Sequence, residues 1–252
     1  MPVRSASEHP AGPLVLRVTG AEEVDLADAV APERIAWIET TVALAACAWP
    51  TETGLDVVLT DPERDAPLLY DVARLQHERP LRVTIDGVPG VETAARVAMA
   101  LQLPVRLRLQ QPTEAVVAEL AAVLEGYLHD PQATAPVEFF HSALSRRLHG
   151  TPLTLWTALE RDPALHRQVA DDGGPDPQAP PHDSGFVAAH LARLIAEDAE
   201  CVRCRFQELC AGYFKWPDAS YACAPVVALL GQVDEAANAL ERDLADAAEA
   251  TR

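Results

Sequence analysis

The sequence predicts an α/β fold built on a parallel sheet, and three observations carry that prediction. Short apolar, strand-like runs alternate with amphipathic helical stretches from residue 14 to residue 140, the pattern of consecutive right-handed βαβ units. The chain has 252 residues, 49% of them apolar, enough for the core of one large domain or of a domain with a small lobe. Near residue 170 the periodicity stops in a run of prolines, glycines and acids, and helical patterns alone follow. About five strands fall short of a closed eight-stranded barrel, so periodicity leaves an open partial barrel and a small doubly wound sheet as alternatives.

In chain order, residues 1–13 carry Ser, Pro and Gly and read as an irregular end. Leu14 to Val18 is a strand candidate stopped by Gly20. From Pro32 to Trp49, Ile35, Ile38, Val42, Ala45 and Ala46 recur at helical spacing, which predicts a helix ended by Pro50. Leu55 to Leu59 is the next strand, Ala66 to His77 a helix, and Leu81 to Ile85 a strand. Gly87 and Gly90 turn the chain into a helix from Val91 to Leu101. Val105 to Leu109 alternates as a strand, and Thr113 caps a helix running to Leu128. Val137 to Phe140 is the fifth strand candidate, followed by short helices over Ser142 to His149 and Thr154 to Glu160. A helix from Phe186 to Ala196 leads into a cysteine-rich segment, and Val226 to Ala248 forms a last amphipathic helix that packs back on the protein. The domains expected are an α/β domain over 1–169, a linker over 170–185 and a small α-rich lobe over 186–252.

That lobe holds the chemistry. Cys201, Cys204, Cys210 and Cys223 are four of the five cysteines in the chain and have the spacing C-x2-C-x5-C-x12-C. Two cysteines three apart can meet one metal from a tight turn, and two more can close a sulfur cage. Spacing alone admits either a single zinc or a [4Fe-4S] cluster, and a pair of disulfides is disfavoured because nothing else in the chain looks secreted. Arg203, Arg205 and Lys215 lie among the cysteines, where cations offset thiolate charge. Phe206, Tyr213, Phe214, Trp216 and Tyr221 would supply an apolar shell.

At these residues the chain resembles a known family. The pattern C-x2-C-x5-C followed by one more cysteine is similar to the SPASM extension of radical S-adenosylmethionine (SAM) enzymes that act on peptides. The run Cys210-Ala211-Gly212-Tyr213-Phe214-Lys215-Trp216-Pro217 with Tyr221-Ala222-Cys223 resembles the ending of a subset of peptide maturases. The resemblance implies that the four cysteines hold one auxiliary [4Fe-4S] cluster. It also implies a partial (open) TIM-type barrel and a role in ribosomal peptide natural-product biosynthesis. Two departures limit it. The family places a further cysteine four residues after the third, where this chain has Phe214. It also carries C-x3-C-x2-C after its first strand, where this chain reads Thr19-Gly20-Ala21-Glu22-Glu23-Val24-Asp25. The cluster that cleaves SAM therefore cannot form on this chain. What the resemblance leaves is an accessory or degenerate maturation protein, binding a precursor peptide or a partner enzyme as a hetero-oligomer, its cluster relaying electrons or shaping the docking lobe.

Other residues offer less. Glu138 and His141 would stand at the end of the last predicted strand with Asp86 at the end of a neighbouring one, an acid/base set for a barrel enzyme; the plainer expectation is core filling by Phe139 and Phe140, with His141 capping a helix. A zinc-stapled binding module without a redox role is the other alternative. Cys47, between alanines on the predicted helix, reads as a small buried hydrophobe. The histidines show neither H-E-x-x-H nor paired spacing, and no G-x-S-x-G occurs. Asp+Glu number 38 against Lys+Arg 20, a net charge of −18, which argues against autonomous binding to nucleic acid or an anionic membrane. No apolar run is long enough to span a bilayer and no signal peptide is legible after Met1, so the expected compartment is the cytoplasm.

Overall fold

The computed structural model describes residues 14–18, 20, 35–41, 43, 45, 47, 49, 53–166 and 179–250. Residues 1–13 and most of the expected linker, 170–178, lie outside them. The chain divides into two compact units, one of residues 1–108 with 129–136, the other of residues 109–128 with 137–252. This division crosses the expected 1–169 domain, because the helix that follows the last strand belongs to the second unit.

The first unit is built on an open sheet of five parallel strands: β1 (Leu14–Val18), β2 (Ile35–Thr41), β3 (Gly54–Leu59), β4 (Leu81–Asp86) and β5 (Val105–Arg108), in the order β1-β2-β3-β4-β5. A sheet in strict chain order has no reversal of strand order, so the doubly wound alternative is set aside. Between β3 and β4 runs a series of helical turns, α1 (Pro62–Asp65), 3-10 turns over Ala66–Leu68 and Ala73–His77, and α2 (Leu69–Val72). These stand where one helix was expected. Between β4 and β5 lies α3 (Val91–Ala100), which buries Val91, Ala94, Ala95, Ala98 and Met99, one small-residue stripe at helical spacing. Gly90 caps it at φ +92°, and a Cβ there would meet the Glu63 backbone at 2.8 Å, so both the backbone angle and the close approach of α1 require glycine.

Two of the sequence expectations are corrected. Residues 35–41 form a strand, not part of a helix over 32–49. Ile35, Ile38, Thr40 and Thr41 are β-branched, and pairing to β1 and β3 settles a short apolar run that suits either period. Cys47 is half-buried in irregular chain rather than on a helix. Conversely, only Val137 bridges, and Glu138–His149 is a helix. The count of five strands stands with β2 in place of 137–140.

Every strand alternates. Leu16, Val18, Ile38, Leu55, Val57, Val83, Ile85 and Leu107 take one face, with α3 against β4 and β5. The other face carries charge. Asp56, fully buried, accepts from Arg82 Nε at 2.8 Å and Thr84 Oγ1 at 2.6 Å, with Arg106 Nη2 at 3.0 Å. Glu39 binds Arg17 Nε at 2.7 Å and Arg106 Nη2 at 3.1 Å, and Arg108 Nε meets Asp86 at 2.5 Å. The buried members of this set, Asp56, Glu39 and Arg106, are removed from water only because each finds an opposite partner on another strand of the sheet.

The second unit is helical: α4 (Glu114–His129), α5 (Glu138–His149), α6 (Leu155–Ala158), α7 (Phe186–Ala196), α8 (Gln207–Cys210) and α9 (Ala224–Ala250). Thr113 Oγ1 accepts from Val116 N and Thr154 caps α6, both in the manner expected of N-caps. α5 packs along α9, burying Phe139, Phe140, Ala143 and Leu144. No helix among the described residues is long and apolar enough to cross a membrane.

Candidate metal centre

Three stretches bring the cysteines together. Cys201 lies in a 3-10 turn over Glu200–Arg203 with Cys204 directly after it, Cys210 ends α8, and Cys223 precedes α9. All four border one cavity of about 430 Å3, walled by apolar groups that include Phe206, Phe214 and Leu230. Each is a thiol, Cys201 being buried and the others half-buried. They ring the cavity rather than converge: among the described residues no group of three or more His, Cys, Asp or Glu is arranged to hold a metal ion as it stands.

The chain after Cys210 folds back on its sulfur. Ala211 at φ +47° and Gly212 at φ +76° reverse the backbone, so the N–H groups of Tyr213 and Phe214 donate to Cys210. Successive N–H groups aimed at one sulfur favour the thiolate. Burial nevertheless dominates and pushes the Cys210 thiol up to about 11, with Cys201 and Cys204 adding to the rise. Cys223 is pushed up to about 12 by burial, against the pull of Lys215, and Cys201 is raised for the same first cause.

Lys215 is the internal cation. It is 4% exposed, donates to Tyr221 O at 2.5 Å and pairs with Glu200 Oε2 at 3.3 Å. Glu200 also accepts from Cys223 N at 3.1 Å, which ties the first cysteine turn to the last. Nothing in spacing marks Glu200, although its place directly before Cys201 is a signal that could have been read. Arg203 and Arg205, grouped with Lys215 in the sequence, are exposed at the cavity edge instead.

A shell of rings and hydrogen bonds fixes this loop from outside. Trp156 Nε1 donates to Ala211 O at 2.9 Å, and His190 Nε2 lies 3.1 Å from Gly212 O. Trp156 packs edge-on to Tyr213 and His190, and Phe186 stacks on His190 and meets Trp216. The segment directly after β5 is anchored to the same loop: Tyr213 Oη donates to Leu109 O, Tyr221 Oη to Pro112 O, and Gln111 Nε2 to Phe214 O and Asp218 O. Of the expected aromatic shell, Phe206, Phe214 and Tyr213 are buried, and Trp156, an apolar anchor on the short helix expected over Thr154 to Glu160, joins from α6.

The acid/base set loses its premise. Glu138 and His141 lie in the first turn of α5, not at a strand end. Glu138 accepts from Ser142 Oγ at 2.9 Å and exposed His141 meets Tyr127 Oη at 3.1 Å. Asp86 does end a strand, but its carboxylate is engaged by Arg108. These are helix-end and ion-pair contacts.

No known protein family, curated protein or solved structure matches this chain. Fold and site therefore define it by themselves: an α/β protein whose helical unit encloses a cavity edged by four thiols and one buried lysine.

Proposed function

We propose that the chain is an accessory protein of peptide maturation, similar to radical SAM and SPASM maturases without the cluster that cleaves SAM, and that Cys201, Cys204, Cys210 and Cys223 hold one [4Fe-4S] cluster. When bound, such a cluster supplies one-electron transfer; four protein thiolates leave no iron open to substrate. One observation carries this reading: four cysteines from three separate stretches edge a single apolar-walled cavity. A single zinc needs four thiolates about 2.3 Å from one point, whereas in a cluster each thiolate takes a different iron. A ring of sulfurs around a volume suits the second.

The chain's own residues have definite roles in that reading. Lys215 offsets the charge of Cys201 and Cys223, the Tyr213 and Phe214 N–H groups support the thiolate of Cys210, and Phe206, Phe214 and Leu230 exclude water. The consecutive strand order is the one a partial barrel would have, which supports a barrel-type ancestry for the open sheet. Free thiols throughout suit a reducing compartment such as the cytoplasm.

The test is anaerobic purification with iron, sulfide and zinc analysis and an absorption spectrum. Near four irons and four sulfides per chain, with charge-transfer absorbance that bleaches on reduction and is lost in Cys210→Ser, is the expected result. One zinc per chain without colour would replace this reading by the zinc-stapled binding module.

A further inference from the structure

Lys215 and the two arginines beside it in sequence do different work. Lys215 is buried at the cavity wall and engaged there, donating to Tyr221 O and pairing with Glu200 Oε2 at 3.3 Å. Arg203 and Arg205 flank Cys204 on the outer edge of the same cavity, both exposed. Neither forms a salt bridge or hydrogen bond among the described residues, while arginines elsewhere in both units, such as Arg82, Arg106, Arg147 and Arg193, are ion-paired. Charge compensation inside the cavity therefore leaves the two guanidinium groups unused.

Arg205 is also held in place. Its guanidinium carbon lies 4.6 Å from the centre of the Phe206 ring. Gly231 of α9 also lies against it: an added Cβ there would come within 2.6 Å of Nη2. Glycine there gives the guanidinium room to lie on the helix. An oriented guanidinium presents paired donors that match a carboxylate, and beside it the cavity offers an apolar wall of Phe206, Val227 and Leu230.

We propose that Arg203 and Arg205 form a carboxylate-recognition edge at the mouth of the cysteine cavity, docking an acidic segment of a partner polypeptide. The proposal names the partner chemistry for the cavity assigned above and rests on that assignment. Charge is what selects the occupant. A chain of net charge −18 attracts basic polypeptides over its whole surface, so a local positive edge discriminates in favour of the opposite kind.

The probe is a fluorescein-labelled peptide of alternating glutamate and leucine, titrated into the full chain by anisotropy, beside a counterpart with glutamine for every glutamate. The expected result is salt-sensitive binding of the acidic peptide, at least about tenfold tighter than the neutral one. Arg203→Gln with Arg205→Gln should reduce it about tenfold, as loss of two edge charges does, with unchanged circular dichroism. Equal binding of the two peptides, or an unaltered affinity in the double variant, overturns the proposal. Metal analysis of the same samples separates the two ideas: a full complement of iron and sulfide without selective binding sinks the docking edge alone, and absence of iron sinks the cluster whatever the peptide does.

Discussion

Gly212 joins backbone conformation to the site more directly than any other residue. At φ +76° it is in the region that L-residues avoid, and a Cβ there would lie 2.9 Å from Leu194 Cδ1 and 3.1 Å from His190 Cδ2. Gly212→Ala should therefore destabilise the chain by about 2 kcal/mol, combining left-handed strain with overpacking; urea denaturation reads this directly. His190, which holds Gly212 O, must donate from Nε2, leaving Nδ1 to accept from Arg193 at 3.4 Å. That is the neutral ring, and burial first, with Arg193 in support, keeps its pKa below the usual histidine value despite the opposing bond to Gly212. An imidazole whose pKa is depressed on folding contributes stability that is complete above the unfolded value of about 6.5 and is lost as pH falls below it. Stability measured at pH 7.5 and 5.5 should fall in the wild type, and fall less in His190→Gln, whose amide can still donate to Gly212.

Among the elements, the sheet carries the largest single-residue stake. Asp56 on β3 is fully buried between Arg82, Thr84 and Arg106. Asp56→Ala should cost about 3–5 kcal/mol, because Arg82 and Arg106 both lose a buried carboxylate and Arg106 keeps only Glu39 of its two. Asp56→Ala with Arg106→Met should recover part of the loss; if it does not, the pairing is not what Asp56 contributes. Glu39 makes the same network sensitive to acid. Burial raises its pKa, but Arg17, Arg108 and Arg106 together hold it below the usual carboxylate value, so its contribution is present above about pH 4.5 and disappears as pH falls further. This network was partly legible, since Arg17, Glu39, Asp56, Arg82 and Arg106 each interrupt an apolar run at alternate positions. What hid it was β2. Ile35 and Ile38, with Val42 next in sequence, fit helical spacing, and the decision came from neighbouring strands that a local window does not include. Phe139 and Phe140 misled in the opposite sense, an aromatic pair that reads as strand but buries one face of α5. The cysteine loop was legible because its chemistry is in residue type and spacing. The burial of Lys215 was not, since spacing does not record exposure, and neither was the bond from Trp156 to Ala211, 55 residues away.

For the whole molecule, the balance of charge makes a prediction that the two classes of ion pair pull in opposite directions. A net charge of −18 means self-repulsion in the compact state, which added salt screens. Exposed pairs such as Arg193 with Glu197 and Arg74 with Asp71 lose strength in the same salt, but such pairs are worth only about 0–1 kcal/mol each. The buried pairs of Asp56 with Arg82 and Arg106 are screened little, since the field lines between them do not pass through solvent. Repulsion acts over a Debye length that shrinks from about 30 Å at 0.01 M to about 8 Å at 0.15 M, so its relief should win. The thermal midpoint should rise when sodium chloride goes from about 0.01 M to 0.15 M, and rise less in a variant with lysine at Asp243, Asp246 and Glu249, all exposed on the last turns of α9. A midpoint that falls with salt in the wild type would instead mean that surface pairs hold the fold more strongly than its excess acid opposes it.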